Sequence, residues 1–203
     1  MTTPPRAALL PLLTAMAGLS LGIAGLWLGV TEGAIALWGF GVASLLQVPP
    51  ALSLRGRIQD GLGNSGLERE RRTLRTVGFL QRFLALGLAM AAISALLGER
   101  MPQGGLSALG VACLAVGCIG LIWYVKQGLK GIHPTLDLDA ARTRSLLDLS
   151  VLLLLGTLLG RWFPWADAVF ALALALRLFF EGRTLAKATT LPVTCGGCGS
   201  GCG

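Results

Sequence analysis

The chain has 203 residues, of which 54% are hydrophobic and only 13% charged. A soluble domain carries about a quarter charged residues, so this composition excludes an ordinary soluble enzyme and points to a polytopic membrane protein. The formal charge of +7 does not mark a nucleic-acid binder, because the basic residues cluster between apolar runs, as they do in the cytoplasmic loops of membrane proteins.

The first apolar run extends from Ala7 to Val30. At about 1.5 Å per residue it crosses the roughly 30 Å hydrocarbon core. Arg6 and the segment Ala15-Met16-Ala17 resemble a signal peptide with its cleavage site. The run continues without a break, which predicts a retained span. Gly18, Gly22, Gly25 and Gly29 form a smooth face for close helix packing. Thr31-Glu32-Gly33 reads as a tight turn. A second span follows from Ala34 to Leu54, with Gly39, Ala43 and Gln47 on one face and a kink expected at Pro49-Pro50.

Residues 55–75 read as a polar loop, whose second half, Glu68-Arg69-Glu70-Arg71-Arg72, begins a helix with a solvated end. The third span covers about Thr76 to Leu97 and carries Arg82, which is expected to snorkel to the surface. The fourth covers Leu106 to Val125. Lys126 to Thr143 is a second basic loop, holding His133, the single histidine. A helical hairpin from Asp139 to Lys187 supplies the fifth and sixth spans. Its turn, Arg161-Trp162-Phe163-Pro164-Trp165, has the aromatic character of a membrane interface.

Of the 17 Lys and Arg residues, Arg100 and Arg161 alone fall in loops after odd-numbered spans. The positive-inside rule then predicts an all-α, six-helix transmembrane bundle with both termini cytoplasmic, lodged in the cytoplasmic (inner) membrane. Residues 1–187 form the membrane domain, and residues 188–203 a flexible Cys/Gly-rich tail.

Ionisable groups inside a membrane helix need a partner or a water-filled cavity. Asp167 reads as a cap for the sixth helix, and Arg177 with Glu181 as an intrahelical pair. Asp148 enters an otherwise apolar helix and has two readings. One is a local ion pair with Arg144; the other is a carboxylate lining a cation path with Gln47. The tail carries Cys195, Cys198 and Cys202, three thiolate donors where a closed tetrahedral zinc site needs four. His133 or a second subunit is a candidate for the fourth. A low-complexity end with no metal is the competing reading. Cys113 and Cys118, inside the fourth apolar run, read as small buried hydrophobes. There is no Gly-rich phosphate loop, no Ser/His/Asp set and no paired catalytic carboxylates, so neither an enzyme nor an organic cofactor is expected.

The chain resembles the membrane domain of the cation diffusion facilitator family. The resemblance rests on Gly33-Ala34-Ile35-Ala36-Leu37-Trp38-Gly39-Phe40-Gly41, on Leu138-Asp139-Ala140, and on Trp165-Ala166-Asp167 through Glu181-Gly182. It implies six spans, a homodimer and proton-coupled export of divalent metals such as zinc. The family's ligand pair in the second span falls on Ala43 and Gln47. Its pair in the fifth span falls on Arg142 and Leu146, or on Arg144 and Asp148 with the helix slipped by two residues. Asp139 matches a family aspartate just before that pair, and the tail stands where the family commonly has a soluble domain. Gln47, Asp139 and Asp148 in the bundle and Cys195, Cys198 and Cys202 in the tail are thus the candidate metal residues. The leading expectation is a divergent transporter handling divalent cations, with membrane lipid as its surroundings. The alternative is a scaffold or partner protein that keeps the bundle without the transport site.

Overall fold

The computed structural model describes residues 5–59, 67–98, 105–128 and 134–186. Among these the secondary structure is entirely helical, in seven segments: α1 Pro5–Glu32, α2 Ile35–Leu46, α3 Val48–Gln59, α4 Leu67–Leu97, α5 Leu106–Gln127, α6 Pro134–Leu159 and α7 Ala166–Ala186. Four stretches, Leu9–Glu32, Ile35–Gln59, Glu68–Leu97 and Leu106–Gln127, are long and apolar enough to cross a membrane.

The turn after α1 is tighter than expected, because Thr31 and Glu32 finish the helix and Gly33 makes the turn. Gly33 takes φ 68°, a conformation open to glycine at little steric cost, and Ala34 is extended before α2 begins. The expected kink is a full interruption between α2 and α3. Pro49 and Pro50 have no N–H with which to bond the carbonyls of residues 45 and 46. The chain therefore tightens at Gln47, whose N–H bonds the Ser44 carbonyl at 3.2 Å before helix resumes.

The glycine face of α1 packs on α2. A Cβ at Gly25 would lie 3.1 Å from Gly41 Cα, and one at Gly29 would lie 2.5 Å from the Trp38 nitrogen. Backbones this close are the general use of small residues at membrane-helix crossings. The most extensive contact joins α4 to α7, where Gly78 and Gly182 face each other: a Cβ on either would meet the other's carbonyl oxygen at 2.8 or 2.7 Å.

Two expected loops are shorter than the sequence suggested. Residues 55–59 continue α3, α4 begins at Leu67, and α6 begins at Pro134. Basic residues assigned to loops thus lie on helices that face the bundle. The reason lies in partners contributed from distant parts of the chain, which hydropathy along the sequence does not report.

The bundle has two unlike ends. At one, the Trp162, Phe163 and Trp165 side chains are exposed. The Glu32 carboxylate there accepts from the Gly105 N–H at 3.1 Å and from the Ser107 hydroxyl, closing the start of α5. Asp167 does not cap its own helix as the sequence suggested. Its Oδ2 accepts from the Ile35 N–H at 2.9 Å, so α7 supplies the cap for α2. That puts a carboxylate at the positive pole of α2 and ties the aromatic turn to the first hairpin. At the other end the buried charges gather.

Candidate functional site

Three carboxylates and three cations come together at the basic end. Arg57 of α3 pairs with Glu70 of α4 at 2.5 Å, with both side chains almost fully buried. Lys126 of α5 pairs with Asp139 of α6 at 2.6 Å, and its ammonium also donates to the Thr143 hydroxyl at 2.8 Å. Thr143 in turn donates to the Asp139 carbonyl one turn earlier. Glu181 of α7 accepts from the Gln47 amide at 3.2 Å and from the Ser145 hydroxyl at 2.7 Å.

Arg142 of α6 completes the group. Its guanidinium lies within electrostatic reach of Asp139, Glu181 and Glu70, while its Nε and Nη2 are buried without an acceptor. Burying one charge inside a bundle is costly, and breaking a buried pair leaves the full penalty on its partner. Here the protein's own cations match its carboxylates, and the network joins α3 to α7, with Gln47 bringing in the α2–α3 junction.

Two cavities open onto it. The smaller is lined by Thr14, Gln47, Pro50, Asp139, Arg142 and Thr143, among others. The larger, about 220 Å³, lies between α6 and α7 and is bordered by Arg142, Ser145, Arg177, Phe180, Glu181 and Thr184.

This arrangement separates the candidate residues of the sequence. Gln47 and Asp139 do line one small cavity. Asp148 is not paired with Arg144, nor does it share a partner with Gln47. Its Oδ2 meets Arg177 Nη2 at 2.9 Å, on a face where both side chains are nearly half exposed. The expected Arg177–Glu181 pair is consequently not formed. Arg177 reaches across to α6, while Gln47 and Ser145 draw Glu181 inward. Glu70, read as part of a solvated helix end, is buried against Arg57, and Lys126, read as a loop residue, is among the most buried charges of the chain. Cys113 and Cys118, expected inside, are exposed on the outward face of α5.

Among the described residues, no three His, Cys, Asp or Glu side chains are grouped so as to hold a metal ion. Asp139 holds an ammonium instead, and Gln47 holds a carboxylate. Cys195, Cys198, Cys202 and His133 lie outside the described residues. Sequence reasoning missed Lys126, Glu70 and Arg57, and met Arg142 only as an alignment position. The available signal was the opposite charge carried by helix ends adjacent in the bundle.

Fold and site define an all-α chain with helices suited to a membrane and a self-neutralised polar end. No protein family matches the chain, and no curated protein matches it.

Proposed function

We propose that this chain is a six-span protein of the cytoplasmic membrane, with both termini on the cytoplasmic side, serving as a non-transporting scaffold or partner. In this reading it shares the helical architecture of the cation diffusion facilitators, and its homodimeric assembly follows from the resemblance. The observation that carries the reading is the buried set Arg57–Glu70, Lys126–Asp139 and Arg142 beside Glu181. A transported divalent cation needs carboxylates or imidazoles that it can take over. Here the buried acids are engaged by tethered cations and internal donors, and in one of the two alignments that the resemblance allows Arg142 stands at a metal-ligand position. The bundle is thereby held together by charges that do not move.

A second reading keeps divalent-metal transport and is favoured by one feature: Gln47 and Asp139 share a small polar cavity with Thr14 and Thr143. In that case Cys195, Cys198 and Cys202 would collect metal beneath the bundle. A zinc-flux assay in sealed proteoliposomes separates the two. The scaffold reading expects the intact chain and Asp148→Ala to match protein-free vesicles. Flux through the intact chain that is lost in Gln47→Ala would establish transport instead.

A further inference from the structure

The cleft between α6 and α7 has a character that a helix-packing gap does not need. About 220 Å³ of space is bordered by Arg142 and Arg177, by Ser145 and Thr184, and by apolar Leu138, Phe180 and Leu185. Arg142 brings two buried guanidinium nitrogens without an acceptor, and buried donors left unpaired are costly. The nearby oxygens do not meet that need. Glu181 is engaged by Gln47 and Ser145, and the Thr184 hydroxyl donates to the Glu181 carbonyl.

Depth identifies the class of acceptor. On the six-span reading proposed above, on which this inference rests, the exposed Trp162, Phe163 and Trp165 after Leu159 mark one membrane interface. Arg142 lies about 26 Å along α6 from that end at about 1.5 Å per residue, close to the opposite boundary of a core about 30 Å thick. Both helices carry exposed apolar residues, Val151 and Leu155 on α6 and Leu176, Phe179 and Phe180 on α7, so the cleft opens where lipid lies alongside. A cleft between membrane helices that carries two guanidinium groups at headgroup level, beside a Glu181 already engaged by Gln47 and Ser145, suits an anionic phospholipid.

We propose that the α6–α7 cleft binds the headgroup phosphate of one anionic phospholipid from the leaflet at the basic end. The Arg142 guanidinium borders the cleft and turns to bring its unpaired nitrogens to the phosphodiester oxygens, Arg177 adds positive charge at the deeper edge while holding Asp148, and an acyl chain lies along Phe180 and Leu185. The ligand is a membrane lipid rather than free phosphate, because the guanidinium sits at the membrane boundary between two lipid-facing helices.

The test uses the full chain in a neutral detergent, titrated with short-chain phosphatidylglycerol, phosphatidylcholine and inorganic phosphate, with bound lipid counted by native mass spectrometry. Phosphatidylglycerol is expected to bind with a stoichiometry of one, and Arg142→Gln to weaken it roughly tenfold. Arg75→Gln, which removes an exposed charge at the same end, should leave it unchanged, and phosphate should not compete. The double variant Arg177→Gln with Asp148→Asn, which leaves no unpaired charge, should weaken binding less and serves if Arg142→Gln does not fold. Equal binding of the two lipids, equal loss in Arg75→Gln and Arg142→Gln, or displacement by inorganic phosphate would each overturn the proposal. So would unchanged binding in the double variant where Arg142→Gln does not fold.

Discussion

Lys126→Met is expected to destabilise the folded bundle by about 3–5 kcal/mol, the range for removing one member of a buried ion pair. Asp139 would lose the ammonium that meets its carboxylate at 2.6 Å. The Thr143 hydroxyl would also lose the donor it accepts from. Lost packing is a small part of this, because methionine fills most of the lysine stem's volume. The cost should therefore fall sharply when the stranded charge is removed as well. Lys126→Met with Asp139→Leu is expected to recover most of the stability, since replacing a buried pair by apolar residues of similar size is often close to neutral. Reversible unfolding in mixed micelles, run as a double-mutant cycle, measures the coupling. Additive effects of the two substitutions would show that Lys126 and Asp139 do not act as a pair.

Gly182→Leu is the second large effect. Even a single Cβ at this position would approach the Gly78 carbonyl oxygen to 2.7 Å, and that atom belongs to a helix backbone, which cannot turn aside as a side chain can. Overpacking costs about 1–3 kcal/mol, and here it acts on the most extensive helix contact while displacing the neighbouring Glu181. Gly87 on α4 gives the contrast, because a Cβ there meets nothing within 4 Å. Gly87→Ala should raise stability by about 0.5–1 kcal/mol through helix propensity alone. Opposite signs for the two glycines, measured by the same unfolding experiment, would identify close approach rather than backbone freedom as the reason for Gly182.

Apolar run lengths were enough to locate most of the helices, because burial in lipid or protein demands the same uninterrupted hydrophobicity. The glycine face of α1 was legible too, since a four-residue spacing of small side chains has few other uses. The polar end was legible only in part. Lys126 and Asp139 sit in what the sequence presents as a basic loop, and nothing local says that one lies against the other. Glu70 looked solvated because it stands in a run of charges, yet it turns inward to Arg57. Asp148 drew attention as an acid in an apolar helix, and its partner Arg177 was assigned to Glu181 because four-residue spacing is visible along one helix whereas a contact between helices is not. Asp167 followed the same pattern, reading as a cap for the helix it begins while serving the one beside it.

On the scaffold reading, the buried acids of the bundle are neutralised from within and leave no vacancy for a divalent cation. That reading is tested most directly by calorimetric titration of zinc into the full chain with Cys195, Cys198 and Cys202 replaced by serine, so that the tail cannot mask the result. Heats indistinguishable from the detergent blank are expected. Saturable one-site binding that disappears in Asp139→Asn or Gln47→Ala would contradict the scaffold reading.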